Sequence, residues 1–266
     1  MKNLILIVFL LLPAILLAQA TYYVSSEGND TNAGTSTSDA WKSLAKVNSF
    51  IPAPGDQILF RRGDTWKGTL IPSASGNSGS PIVYGAYGSG NKPKIYGSTE
   101  VTGWTLHSGN IYKATFSSSS IEQLFVNGEK VDIARYPKTS YYDITSVNSS
   151  TSFTSSQISG GIDYTGATAL IRTREWYLAT NTVISSSSQT ISINSAPAYN
   201  LNTGEGFVLL NKLDFLTQAG EWCFNPSTNT VYLWLADGSN PSGHTVRVSS
   251  GESNVSVASK NYINIE

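Results

Sequence analysis

The chain has 266 residues, of which 13% are charged, and a formal net charge of −1. Its 39 Ser, 25 Thr, 20 Asn and 23 Gly, beside 14 Tyr, 9 Phe and 6 Trp, suit short strands joined by many turns and exclude a helix-rich protein. With 40% hydrophobic residues the chain is not a disordered one, and its near-neutral balance makes neither nucleic acid nor an anionic membrane an expected partner.

Residues 1–20 read as a signal peptide. Lys2 supplies a positive start, Leu4 to Leu17 is an apolar run broken only by Pro13, and Ala18-Gln19-Ala20 offers small residues for cleavage. The run is shorter than the roughly 20 residues that cross a bilayer, so no membrane span is expected. A mature protein that is secreted, periplasmic or held at the cell surface follows. Its single cysteine, Cys223, permits no internal disulfide.

Residues 21–103 read as an N-terminal cap and the first rungs of a solenoid. Thr21 to Ser25 is a strand of aromatic and β-branched residues, and Glu27 to Ser38 is rich in turn formers. One helix is expected next, with Asp39 as its N-cap, Trp41, Leu44, Ala45 and Val47 on one face, and Pro52 and Pro54 barring its continuation. Short β segments follow at Ile58 to Phe60, Thr69 to Ile71, Ile82 to Tyr84 and Lys94 to Tyr96, separated by glycine-rich turns. Strands this brief fit stacked rungs of a parallel β-helix, with the helix covering the open end of the apolar column.

Between 104 and 245 the runs lengthen, as at Gln123 to Val126, Ala169 to Arg172, Thr190 to Ile193 and Thr230 to Trp234. Asn127-Gly128 is a hairpin turn signal, and the region reads as an inserted antiparallel β domain of sandwich type. Residues 246–266 are expected to resume the solenoid. Ending inside such a run would leave a strand edge open, so a longer natural protein is expected.

The segments Ala20-Thr-Tyr-Tyr-Val-Ser-x-x-Gly-Asn-Asp, Pro54-Gly-Asp-Gln-Ile-Leu-Phe and Gly79-Ser-Pro-Ile-Val-Tyr resemble the opening of secreted right-handed parallel β-helix proteins of the pectate-lyase-like superfamily. Glu122-Gln-Leu-Phe-Val-Asn-Gly, Ala134-Arg-Tyr-Pro and Gly220-Glu-Trp-Cys-Phe-Asn are similar to the β-sandwich inserted in some of them, among which are glycoside hydrolases acting on plant cell-wall glycans. The resemblance implies a mainly β protein, the start of a right-handed parallel β-helix with a capping helix and an inserted sandwich-like domain. It implies a polysaccharide or oligosaccharide partner, and catalytic acids in later rungs, outside this sequence.

Glycoside hydrolysis needs two carboxyl groups about 5 to 5.5 Å apart for retention or about 6.5 to 9.5 Å for inversion. Asp56, Asp64, Glu100 and Glu252 are the acids nearest the rungs, and Asp56 and Asp64 sit where Asp stabilises a turn. No residue of this chain is therefore assigned a catalytic role. Lyase chemistry would instead use calcium and a base; Asn29, Asp30 and Asn32 form the most calcium-like group, and turn chemistry explains them equally well. No cofactor and no metal ligand are expected, since His107 and His244 are too few for a zinc site.

Three residues are substrate-binding candidates. Arg135 could grip a sugar as a fork-shaped donor or brace the domain through Glu122, Glu129 or Asp132. Trp176 and Trp222 could stack on sugar rings or fill a core, as could Tyr141, Tyr142 and Tyr177. Glu221, beside Trp222, reads as structural. A non-catalytic glycan-binding or adhesive module remains the alternative to a glycosidase, and a lyase the third reading.

Overall fold

The computed structural model describes residues 19–159, 161–249 and 253–266. Residues 1–18 of the expected signal peptide, and Glu252, lie outside them. The protein is mainly β, with one short α-helix among the described residues, and divides into two compact units: residues up to Gly97 with Ser253–Glu266, and Ser98–Glu252. No helix among the described residues is long and apolar enough to cross a membrane.

The first unit is built on a four-stranded parallel sheet, Thr21–Val24, Gln57–Arg61, Ile82–Tyr87 and Ile263–Ile265 in that spatial order. In register, Tyr22, Ile58, Tyr84 and Ile265 stand side by side across its four strands. A second parallel pair joins Thr65–Lys67 to Lys94–Tyr96, setting Trp66 beside Ile95. Leu70 forms a single parallel bridge with Val255, so the Thr69 to Ile71 segment is a bridge rather than a strand. Alternation along the strands sends Ile58, Phe60, Ile82 and Tyr84 into one core with Val24, Trp41, Leu44 and Trp66. Tyr22 stacks on Trp41 at 4.9 Å, and Phe60 meets Trp66 edge-on at 5.0 Å.

The helix spans Leu44–Ser49 and buries Leu44 and Val47. Its N-cap is Ser43, whose hydroxyl accepts from the Lys46 N–H, and not Asp39. Asp39 instead accepts from the Ala33 N–H, closing the preceding turn. The helix starts late because Trp41 bonds in the manner of a strand to Tyr23 and Ser25, and Asp30 then holds the amides of Lys42 and Ser43.

The second unit contains two large sheets. One has the order Thr99–Glu100, Val246–Ser249, Gln123–Val126, Glu129–Ile133, Glu221–Asn225, Thr230–Trp234, Ile111–Thr115, Thr105–Ser108. Val246–Ser249 thus pairs antiparallel inside this sheet, whereas the sequence placed the inserted domain's end at 245. Buried Val246 and Val248 fit either setting by alternation, which is why the sequence did not separate them. Leu124, Trp222, Val231, Leu233, Val246 and Val248 share one core although they come from strands across the sheet, so the sheet curls around them. Cys223, on the opposite face of its strand, packs into the other core.

The other sheet runs Arg135–Tyr136, Gly206–Leu210, Thr168–Arg174, Tyr177–Ser187, Thr190–Ile193, Ser152–Thr154, Ser146–Ser149, with Tyr142–Asp143 also paired to Gly206–Leu210. Its inner face supplies Ala169, Ile171, Val183, Phe207 and Leu209 to the core that Cys223 joins. The Asn127-Gly128 turn forms as expected. Both residues have positive φ, 52° and 90°, and Val126 faces Glu129 across the hairpin.

Candidate functional site

Alternation that points Ala169, Ile171, Phe207 and Leu209 inward turns Leu170, Arg172, Val208 and Leu210 to the outer face of the second sheet. The register sets Leu170 beside Val208 and Thr180, Arg172 beside Leu178, and Arg135 beside Leu210. Over this apolar floor lies a cavity of about 340 Å³, walled by Asp132, Arg135, Lys138, Tyr141, Gln218 and Glu221. Further along the same strands a cavity of about 390 Å³ is lined by Arg172, Leu178, Gly206, Asp143 and Gln157. Tyr141 lines both, so the trough that the first cavity forms borders the second at that side chain. A Cβ on Gly206 would stand 3.3 Å from the Tyr141 Cβ, and the glycine is what lets the Tyr141 segment lie so close to the sheet.

The trough holds a perturbed carboxyl. Glu221 is 3% exposed, and its Oε2 accepts a bond of 2.5 Å from the Lys138 ammonium, which also donates to the Phe215 carbonyl. Burial raises the Glu221 carboxyl above its ordinary range; the bond and charge of Lys138 pull it back without cancelling that effect, and nearby Asp132 adds to it. Parallel pairing of Asp132 with Glu221 is what brings the two acids to one cavity. Arg135 donates from Nε to the Pro137 carbonyl at 3.0 Å and from its fork to Ser140, and its guanidinium lies 5.9 Å from the Tyr141 ring. Arg172 pairs with Glu205 at 3.2 Å. A buried carboxyl with a shifted affinity for protons, open to a cavity beside cations, marks a functional-site candidate. An apolar floor, an aromatic wall and alternating donors and acceptors are the chemistry that holds a polyhydroxylated ring.

Of the residues singled out from the sequence, Arg135 lies in this trough, with carbonyl partners rather than the expected braces. Trp176 sits at the hairpin joining Thr168–Arg174 to Tyr177–Ser187 and is 75% exposed. It meets Tyr199 edge-on at 6.4 Å, while Tyr177 and the Arg174 guanidinium approach the same Tyr199 ring at 5.0 and 5.1 Å. Trp222 is a core residue and not a stacking platform. It is 1% exposed in the core of the curled sheet, its indole N–H donates to the Val131 carbonyl at 3.0 Å, and no ring face is open to a sugar. Tyr142 packs between Tyr136 and Phe207.

Asp56 and Asp64, both in the first unit, serve turns. Asp56, buried, accepts from the Ala20 and Ala53 amides at 2.9 and 2.8 Å, and Asp64 accepts from Ser25 Oγ and the Ser26 amide. Glu100 lies 3.7 Å from Arg247. Asn29 caps Thr31, Asp30 takes three bonds from Lys42 and Ser43, and Asn32 donates to the Ala40 carbonyl. Among the described residues no group of three or more His, Cys, Asp or Glu could hold a metal ion. His107 lies against Tyr232, and His244 bonds Asn127 and Ser239. Burial pushes the Cys223 thiol up to about 12, which removes it as a nucleophile. Lys138 was not legible as a site residue, because its partner lies 83 residues away.

No family model matches the chain. The structure superposes on a solved glycoside hydrolase over 93% of this chain and 50% of that one, with a TM-score of 0.72 at 20% identity, so the two share a fold over that overlap. The lacto-N-biosidase of Bifidobacterium longum subsp. longum is 43% identical over 79 residues, 28% of this chain and 5% of that protein. A solved GH136 lacto-N-biosidase from Eubacterium ramulus is 38% identical over 31% of this chain and 14% of its own, with a TM-score of 0.27. This chain therefore spans half of the first solved structure and a small part of the curated relative.

Proposed function

We propose that this chain is part of a secreted, carbohydrate-active glycoside hydrolase built on a right-handed parallel β-helix. In this reading the helix Leu44–Ser49 caps the solenoid, the Ser98–Glu252 unit is its inserted domain, and the substrate is an oligosaccharide or polysaccharide. The observation that carries the functional part is the 43% identity to the lacto-N-biosidase over 79 residues. Stacked parallel strands in the first unit and the overlap with a solved glycoside hydrolase support the architecture.

The catalytic carboxylate pair belongs, in this proposal, to the part of the protein outside this chain. Support comes from the employment of the local acids: Asp56 and Asp64 hold turns, and Glu221 is bound to Lys138. The test compares the whole natural protein with this chain alone on lacto-N-biose-containing and plant cell-wall oligosaccharides, with products read by mass spectrometry. The whole protein releases sugars and this chain does not. Hydrolysis by this chain, abolished by Glu221→Gln, would overturn that assignment. Unsaturated uronate products absorbing in the ultraviolet would replace the hydrolase with a lyase.

A further inference from the structure

We propose that a recess in the Ser98–Glu252 unit, lined by residues of both its large sheets and edged by Asn211, Asn225 and Tyr232, binds a neutral mono- or disaccharide. The proposal deepens the carbohydrate reading above and rests on it.

The recess has a volume of about 520 Å³, larger than either cavity of the candidate site, and falls within the range of about 300 to 1,000 Å³ typical of small-molecule sites. Alternation along one strand accounts for its place. Glu221, Cys223 and Asn225 share a face of Glu221–Asn225; Glu221 opens to the cavity described above, whereas Cys223 and Asn225 line this one. Pairing of Cys223 with Tyr232 sets the tyrosine on the same face. Thr182 and the turn at Thr165 and Gly166 come from the other sheet's side, and residues 211–214 complete the wall. Cys223 and Phe224 are buried, while Thr182, Asn225 and Ser227 are exposed, so the recess runs from a closed base to an open rim.

Its open hydrogen-bonding groups are uncharged. Asn211 uses its Oδ1 to accept from the Phe224 amide at 2.7 Å, and Asn225 uses its own to accept from the Ser227 amide at 3.0 Å. Both side chains are thereby oriented with their NH2 groups to spare. Those NH2 groups, and the hydroxyls of Tyr232, Thr182 and Ser227, have no hydrogen-bond partner among the described residues and are available to a ligand. The charges cancel locally: Lys212 lies 3.7 Å from Asp214 and donates to the Thr165 carbonyl at 2.9 Å. A uronate or an amino sugar would meet no uncompensated opposite charge, whereas hydroxyl groups both donate and accept and match what is open. Leu213, Pro226 and the Tyr232 ring add apolar surface for the C–H face of a pyranose.

Calorimetry on the chain tests this, with galactose, lacto-N-biose, xylobiose and cellobiose as ligands and digalacturonate as the charged comparator. Expected is saturable binding of at least one neutral sugar. Tyr232→Phe and Thr182→Val, which each delete one hydroxyl and keep the shape, weaken it about threefold to tenfold. Ser227→Trp, at the exposed rim, abolishes it. Unchanged thermal unfolding shows that the variants fold. Hydrogen exchange locates the ligand: bound sugar slows the amides of Gly166, Asn225 and Ser227 and leaves those of Arg135 and Tyr141 as they were. No binding by any neutral sugar, tighter binding of digalacturonate, protection at Arg135 and Tyr141 instead, or affinity indifferent to both hydroxyl deletions each overturns the proposal. Hydrolysis by the whole protein is measured separately: turnover with no binding at the recess sinks the recess alone, and binding there without turnover sinks the hydrolase reading alone.

Discussion

The Lys138 ammonium and the Glu221 carboxylate, 83 residues apart in the chain, meet at 2.5 Å in a place where the Glu221 side chain is 3% exposed. Burial raises the Glu221 carboxyl above its unfolded value near 4.5, so the folded state holds that proton more tightly than the unfolded state does. Its contribution to stability is then complete below the unfolded value and is lost as pH rises through the raised folded value.

Lys138→Met removes the opposing cation and raises that carboxyl further. Leaving a buried charge without its partner costs about 3 kcal/mol near pH 8, while near pH 4 the carboxyl protonates and most of the loss disappears. Urea unfolding at the two pH values checks this. Equal losses at both would mean that the ammonium contributes only packing.

The two candidate indoles separate cleanly by stability. Trp222→Ala opens a cavity in the curled sheet's core and strands the Val131 carbonyl, for a loss of about 3 to 5 kcal/mol. Trp176→Ala, at a 75% exposed site, changes stability by less than about 0.5 kcal/mol. Denaturant midpoints of the two variants decide it.

Asp56→Ala leaves the Ala53 amide without its acceptor beneath the start of the parallel sheet. An unsatisfied donor at that site amounts to about 1 kcal/mol or more. Thermal unfolding should show the drop, with hydrogen exchange accelerating first at Ala53. Protection unchanged at that amide would contradict the role assigned to Asp56.

At Asp30, burial works to raise the carboxyl, but bonds from the Ser43 hydroxyl and the Ser43 and Lys42 amides outweigh it and hold the group below its ordinary range. Stability from this carboxylate is present above the unfolded value near 3.8 and lost as pH falls through the depressed folded value. Asp30→Asn is therefore less stable than the parent at neutral pH, and the two converge in strong acid. Because both oxygens are already engaged, added calcium leaves the parent's melting temperature unchanged; a saturable rise would restore the turn as a metal site.

Much of the local structure was readable from residue types. The strands Gln123–Val126, Thr190–Ile193 and Thr230–Trp234 lie where their alternation indicated, and Asn127-Gly128 turns as that pair must. The sequence favours a helix start one turn early, because Asp39 is a plausible cap; in the fold Asp39 accepts from the Ala33 amide and distant Asp30 positions the true start. Arg135 stands out in the sequence, but its carbonyl partners do not. Trp176 and Trp222 have equivalent local signals, an aromatic beside a glutamate, and opposite fates.

Alternation and turn chemistry depend on neighbours within a few residues, and they determined the β class, most strand positions and which side chains share a face. They say nothing of what covers that face. Whether Val246–Ser249 pairs parallel or antiparallel, which indole is buried, and that Lys138 reaches Glu221 were decided by the tertiary structure. Each depends on contacts between segments far apart in sequence, where burial and charge pairing, not local propensity, set the energy.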